Sequence, residues 1–239
     1  MTNLPAIGGG GGGGAGELWR KWDGLTTSLF EATPALLPAG WSAATISVVA
    51  DPAKPSGAVL RFQVTADATQ ETMFWLLAGT PPWSGGDGDN RSFEMEFETT
   101  QPSGNQGAGP AILCDDSGSF HGYSTVLLAP TGIGSRIDAG VETFNSLGFG
   151  VTSGGPGLFR HLVVAGKQPA ADPSFIMNLD NPGQTAARRV TQTIVAGVPP
   201  ASWDALACDR IGLAFHSNGV GTHTFDLDSF NVRIIEEAA

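Results

Sequence analysis

Short segments in which apolar and polar residues alternate run through most of this chain and constrain its fold more than any other feature. The alternation is clearest in segments 59–65, 93–98 and 211–215. A period of two places alternate side chains on opposite faces of a β-strand. Gly, Pro, Asn, Asp and Ser separate the segments, and no helical periodicity extends beyond about two turns. The pattern predicts an all-β protein, a two-sheet antiparallel jelly-roll sandwich of about eleven to thirteen strands.

Two of these segments depart from simple alternation. Segment 73–77 is apolar at every position, which predicts a strand covered on both faces, with Phe74 or Trp75 as a candidate groove residue. In the last strand the apolar positions shift from odd to even numbers. A bulge near Asp228 and Ser229 would account for that shift.

A run of seven glycines precedes the alternating part. Glycine loses more conformational freedom on ordering than any other residue, so this run forms no stable element alone and needs an external partner to hold it. We therefore divide the chain into an N-terminal arm and linker, residues 1–27, and a sandwich domain, residues 28–239. Polyglycine segments from two or three subunits can approach closely, which predicts a homo-oligomer, with a trimer as one form. The assembly-arm residues are Gly8, Gly9, Gly10, Gly11, Gly12, Gly13, Gly14, Trp19 and Trp22.

Charge and hydropathy exclude several classes of partner. The 239 residues carry a formal net charge of −11, with 12 basic and 23 acidic side chains and no basic stripe, so we expect no nucleic-acid binding. No apolar window approaches a membrane span, and the N-terminus lacks the pattern of a secretion signal. Cys114 and Cys208 are far apart without a metal-type spacing, which favours two buried thiols over a disulfide and a reducing cytoplasm as the place of synthesis.

Three sequence segments carry a resemblance to a known superfamily. Residues 28–34 (SLFEATP) with Gly40 and Trp41, residues 91–98 (RSFEMEFE) and residues 225–234 (FDLDSFNVRI) together resemble the concanavalin A-like (laminin G-like) jelly rolls. That superfamily includes lectins, glycosidases, adhesion modules and viral coat components, so the resemblance implies a fold and leaves the function open. The glycine run beside a β-rich, weakly charged body is similar to bacteriophage tail fibre, spike and capsid decoration proteins.

The carboxylates of segment 94–98 are the strongest candidates for catalysis. Glu94, Glu96 and Glu98 resemble the Glu-x-Asp-x-Glu signature of laminarinase-type glycoside hydrolases, which implies Glu94 as nucleophile and Glu98 as acid/base. A retaining pair needs its carboxyl groups about 5–5.5 Å apart. Glu96 replaces the family's aspartate with a longer side chain that would crowd the pair. The alternative is a charged strand facing solvent or a partner. We expect no enzymatic activity.

Two further sets of residues are candidate ligand sites. Trp83 and Trp203 are predicted in loops, where either could bind a glycan or simply pack. Asp87, Asp89 and Asn90 place three oxygen-bearing side chains in four residues and could coordinate calcium, or cap backbone amides in a turn without metal. The histidines, His121, His161, His216 and His223, show no metal-ligand spacing along the sequence, and no Gly-x-Ser-x-Gly elbow occurs.

These observations leave three functional hypotheses. The first is a structural bacteriophage virion protein, a tail fibre, spike or capsid decoration subunit. It would be anchored through its arm to other virion proteins and assembled in the host cytoplasm. The second is a lectin-like adhesin module that binds a host surface glycan. The third is a laminarinase-type glycosidase. We favour the first, with no cofactor beyond the candidate calcium ion.

Overall fold

The computed structural model describes residues 17–67, 71–82, 91–99, 106–116, 119–127, 131–138, 141–150, 157–166, 174–180, 190–194, 207–217 and 219–235. Fourteen strands occupy most of this range. They are β1 (Glu17–Lys21), β2 (Trp41–Ala50), β3 (Ala58–Ala66), β4 (Glu71–Leu76), β5 (Arg91–Thr99), β6 (Gln106–Asp116), β7 (Ser119–Leu127), β8 (Thr131–Asp138), β9 (Val141–Gly150), β10 (Gly157–Gly166), β11 (Ser174–Asp180), β12 (Val190–Ile194), β13 (Ala207–Ser217) and β14 (Gly221–Ile235). No helix long and apolar enough to cross a bilayer occurs in these residues.

The strands form two antiparallel sheets. The larger has the order β12-β11-β10-β5-β14-β3-β2, with β1 also paired to β14, and the smaller has the order β4-β13-β6-β7-β8-β9. Every strand pair is antiparallel, and neighbours such as β14 and β3 are distant in sequence. The predicted two-sheet jelly-roll sandwich is therefore confirmed, whereas the glycine run lies outside the described residues.

The core lies between the two sheets and is rich in aromatic side chains. Phe62 of β3 is fully buried and contacts Phe30, Trp75 and Phe215, with ring centroids 5.0, 5.3 and 4.7 Å away. The pair with Phe30 has the edge-to-face geometry that aromatic rings favour. Burial alternates along β3 as predicted, because Leu60, Phe62 and Val64 are completely buried while the residues between them are not.

β4 is buried on both faces, as its continuous apolar sequence predicts. Met73 and Trp75 belong to the core, and Phe74 between them is equally inaccessible. Residues 35 and 36 pair with Phe74 on the side of β4 away from β13, which closes that edge. Because Phe74 and Trp75 are both 0% exposed, neither lines a groove, and that expectation was wrong.

The predicted bulge in the last strand is present. The register between β14 and β5 shifts between Leu227 and Phe230, so that Phe225 and Leu227 before the shift and Phe230, Val232 and Ile234 after it are all buried. The inserted residue lets one long strand keep its apolar side chains on the core face despite the change of phase.

β1 joins the beginning of the described chain to the larger sheet. It pairs with residues 231–234 of β14, and the backbone N–H of Trp22 continues this contact by donating to the Phe230 carbonyl at 3.0 Å. Trp22 is 6% exposed and lies in the core, and Trp19 packs against that core. Both tryptophans, which the sequence suggested as arm residues, contact the body of the sandwich.

Candidate functional site

The three glutamates of β5 alternate along the strand with residues of the core. Phe93, Met95 and Phe97 are completely buried. Glu96 is half-buried and accepts a hydrogen bond from Asn231 Nδ2 at 3.3 Å. The side chains of Glu94 and Glu98 lie outside the described residues, so the carboxyl separation that a retaining mechanism needs is not defined.

The strands beside β5 bring basic residues to register with these glutamates. Arg233 of β14 is paired with Glu94, and Arg160 of β10 is paired with Glu96. Opposite charges at directly opposed positions stabilise a sheet, typically by about 0.2–1 kcal/mol. At these two register positions, β5 therefore lies beside strands that carry residues of the opposite charge.

An ion pair joins β14 and β3 in the same sheet. Arg61 Nε and Nη2 donate to the two carboxylate oxygens of Asp226 at 2.7 and 2.8 Å. Hydrogen bonding to Asp226 raises the pKa of the Arg61 guanidinium, with further electrostatic contributions from Asp226 and Asp51. Two parallel hydrogen bonds from one guanidinium fix both side chains, and both carboxylate oxygens of Asp226 already accept a hydrogen bond.

Asp228 lies at the β14 bulge and is buried. Its carboxylate accepts a hydrogen bond from Ser56 Oγ at 3.2 Å and lies 3.7 Å from Lys54 Nζ. Both aspartates of the last strand are therefore paired with cations.

Among the described residues, no group of three or more acidic, cysteine or histidine side chains is arranged to hold a metal. The candidate calcium ligands Asp87, Asp89 and Asn90 lie outside those residues.

A polar cleft of about 240 Å³ opens beside β1. Its lining residues are Arg20, Lys21, Trp22, Asp23, Thr26, Ser28, Leu29 and Ala78. Several of these groups are already engaged. Arg20 Nη2 donates to the Ala78 carbonyl at 2.8 Å, and Trp22 Nε1 donates to the Thr26 carbonyl at 2.9 Å. Exposed Lys21 contributes a cation to the rim, and the hydroxyls of Thr26 and Ser28 are 2.7 Å apart.

The described tryptophans are buried or already packed against other side chains. Trp22, Trp41 and Trp75 are buried, and half-buried Trp19 packs against the core with the guanidinium of Arg20 4.5 Å from the centre of its ring. A stacking platform needs an accessible ring face. The candidate glycan-binding residues Trp83 and Trp203 lie outside the described residues and stay predictions.

A serine–histidine contact that the sequence did not reveal is structural. Ser217 Oγ lies 3.0 Å from His223 Nε2, and the same nitrogen lies 2.8 Å from the Gly219 carbonyl. Since a carbonyl oxygen only accepts, Nε2 carries the proton and donates it, so it is not a base for the hydroxyl. Ser217 is fully buried as well. The contact fixes the turn between β13 and β14 and shows no sign of an activated nucleophile.

Comparison with known proteins identifies related folds only. No protein-family model and no curated protein sequence matches the chain. Solved structures similar to it include a Bacillus licheniformis beta-glucanase, at 11% identity and a TM-score of 0.47 over 94% of this chain and 100% of that one. Another is the CBM2 module of the evolved Dit of Lactobacillus casei BL23 phage J-1, at 13% identity and 0.43 over 93% and 98%. A legume lectin-like domain from Entamoeba histolytica matches at 9% identity and 0.42 over 84% and 91%.

Proposed function

We propose that this chain is a non-catalytic structural subunit of a bacteriophage virion, held in its assembly by the N-terminal arm. A tail fibre, a spike or a capsid decoration protein would fit, built into the particle in the host cytoplasm. The observation that carries the proposal is the way in which β1, which follows the glycine run within the arm and linker, is built into the larger sheet.

β1 connects the arm to the most buried part of the molecule. Its partner β14 lies between β1 and β5 and contributes Val232 and Ile234 to the core. Trp22 follows β1 directly, and its side chain is buried in the core. Arg20 donates a hydrogen bond to the carbonyl of Ala78, just beyond the end of β4. A load on the arm would therefore reach both sheets. A flexible linker between independent parts would need no such attachment.

The charged face of the larger sheet supports the non-catalytic part of the proposal. Its described acidic side chains, Glu96 and Asp226, have hydrogen-bond partners on neighbouring strands. Sheet faces with satisfied charges stay soluble and suit packing beside other subunits. The virion assignment itself rests on the composition: the glycine run and the low charged fraction of 15%.

Removal of residues 1–16 tests the proposal. We expect the full chain to form a homo-oligomer by light scattering, and the shortened chain to be monomeric with an unchanged melting temperature. A control that replaces Gly8–Gly14 with seven serines keeps the length but adds side chains, and it should assemble poorly. Antibodies raised against the chain should also label purified particles of the bacteriophage that encodes it. A full chain that stays monomeric and is absent from particles would refute the proposal.

The cleft beside β1 favours glycan binding as a second function. It brings hydroxyl, carboxylate and ammonium groups together, the kind of polar groups that orient sugars in binding sites. A glycan array should then show binding that Lys21→Ala and Ser28→Ala weaken, with Gln63→Ala on the sheet face as the control. An array without signal for the full-length protein would end this alternative.

A further inference from the structure

β2 forms one edge of the larger sheet. That sheet ends in the order β14-β3-β2, and no strand in the described part of the chain pairs with the far side of β2. The strand runs for ten residues, Trp41–Ala50, without a charged residue or a proline. Edge strands of natural proteins are usually protected by charge, proline or a covering segment, because their free N–H and C=O groups pair readily with another chain. β2 therefore offers a place for an added strand.

The pairing with β3 determines which backbone groups of β2 face this edge. The N–H of Asp51 donates to the carbonyl of Gly57 at 2.9 Å, in continuation of the register of the two strands. In an antiparallel pair, only alternate residues exchange hydrogen bonds with a given neighbour. Positions 45, 47 and 49 therefore bond to β3, whereas the N–H and C=O groups of Ile46, Val48 and Ala50 point away from it.

The apolar side chains at this edge are only partly covered. Ile46 and Val48 pack against the core yet remain half-buried, whereas their partners in β3, Phe62 and Leu60, are completely buried. A further strand beside β2 would remove more of this apolar surface from water. Backbone groups and side chains at the edge therefore both favour an additional strand.

The glycine run, residues 8–14, has the complementary requirement. Without side chains, it can be recognised only through its backbone N–H and C=O groups. A strand edge presents such groups in series, and peptides that add a strand to a sheet obtain their affinity from main-chain hydrogen bonds. Seven residues are enough to span positions 45–50, where the register of β2 is regular. Before that part, the register shifts after Ser42 and Ala43 has a φ of 50°, and a partner strand made of glycine can follow such a bend.

The glycine run of the same chain does not reach this edge. Glu17 lies opposite Ile234 of β14, whereas Val48 lies in the row of Leu227, seven residues earlier in β14. The two rows are roughly 20 Å apart at about 3.3 Å per residue, and the free side of β2 is about 10 Å further out. Gly14 precedes Glu17 by three residues, which span at most about 11 Å. Even the nearer end of β2 is out of reach, so a run along this edge must come from another copy.

We propose that the glycine run of a second copy adds as a strand to the free edge of β2. It would exchange hydrogen bonds with Ile46, Val48 and Ala50 and extend the larger sheet across the subunit boundary. This inference rests on the proposed function, in which the arm holds the assembly, and it names the surface that the arm binds. Each copy offers one arm and one edge, so the exchange can be reciprocal between two copies or cyclic among three.

Amide hydrogen exchange tests the contact in the full chain and in the chain that lacks residues 1–16. In the assembled full chain, the outward N–H groups of Ile46, Val48 and Ala50 should exchange about 100-fold more slowly at a concentration about 100 times the dissociation constant. In the shortened chain they should exchange freely, while the N–H groups of Ser47 and Val49, which bond to β3, stay protected in both. A full chain that assembles without this protection would overturn the inference alone, whereas a full chain that stays monomeric would overturn the proposed function as well.

Two variants at one position provide a matched pair. Val48→Pro and Val48→Ala both remove the half-buried side chain, but only proline removes the outward N–H. Light scattering should show assembly weakened roughly 10-fold or more in Val48→Pro, as expected for a lost hydrogen bond, relative to Val48→Ala. Equal assembly of the two variants would mean that the arm binds elsewhere. The exchange comparison needs no variant in β2 and decides the question if the proline variant does not fold.

Discussion

The outer faces of the two sheets differ sharply in what they expose. On β4 and β13, the residues that alternate with the core, Phe74, Ala214 and His216, are completely buried. On β3 and β14, the corresponding residues Gln63 and Thr224 are exposed and half-buried. The smaller sheet is therefore covered on both faces at β4 and β13. The larger sheet has one buried apolar face and one solvent-exposed face at β3 and β14, which we call the wet face.

The difference indicates which face is available to partners. A polar residue on the covered face must be satisfied internally, as His216 is by the Thr72 hydroxyl at 3.0 Å from its Nδ1. On the wet face, charges pair across strands and remain accessible to solvent. An assembly partner or a ligand can therefore reach the outer face of the larger sheet with little rearrangement, whereas the described part of the smaller sheet between β4 and β13 offers no such surface.

The same substitution placed on both faces gives the largest expected effect. Ala214→Lys puts a charge on the covered face, where Ala214 is 0% exposed between the paired residues Phe74 and Gly109, and should lower the free energy of unfolding by roughly 3–5 kcal/mol, the cost of an uncompensated buried charge. Thr224→Lys on the wet face should change it by about 0.5 kcal/mol or less. Urea unfolding measures both. Equal losses in the two variants would show that the larger sheet is also covered.

A methyl group added to the covered face should have the next largest effect. In Gly212→Ala, the new Cβ would lie 2.3 Å from the Trp75 carbonyl oxygen, so the backbones of β13 and β4 would have to separate. We expect a loss of about 1–3 kcal/mol, as for other overpacked interiors.

Gly219→Ala is the matched control for that substitution. The nearest atom to its new Cβ is His223 Cε1 at 3.8 Å, an ordinary contact. Thermal unfolding should therefore show a clearly lower melting temperature for Gly212→Ala and almost no change for Gly219→Ala. An unchanged Gly212→Ala variant would mean that β4 and β13 pack less tightly than described.

Local sequence pattern was sufficient to identify individual strands. The alternation around Phe62, the apolar run at β4 and the change of phase at Asp228 each reflect neighbours within a few residues, and the structure confirms all three. A strand's own side chains determine which of its faces is buried, so such features can be read from a single segment.

Pairing between distant strands could not be predicted in the same way. Nothing local in Glu17–Lys21 indicates that it joins β14, and the Ser217–His223 contact depends on how one turn closes. Spacing along the sequence also separates Cys114 from Cys208, although the register places them opposite each other. Register is set by the whole sheet, and a candidate site assembled from several strands is visible only when the partners are known.

The ion pair between Arg61 and Asp226 should give the smallest effect and measures how wet the outer face of the larger sheet is. Both side chains are partly exposed, so a double-mutant cycle with Arg61→Met and Asp226→Asn should give a coupling of about 0.2–1 kcal/mol that weakens in high salt. Because the pKa of Arg61 is raised by folding, its contribution is complete below the ordinary guanidinium range and is lost only as pH rises through the raised value. The coupling should therefore be constant between neutral and mildly alkaline pH. A salt-insensitive coupling well above this range would mean that a partner or another segment excludes water from this face, which would remove the contrast between the two sheets.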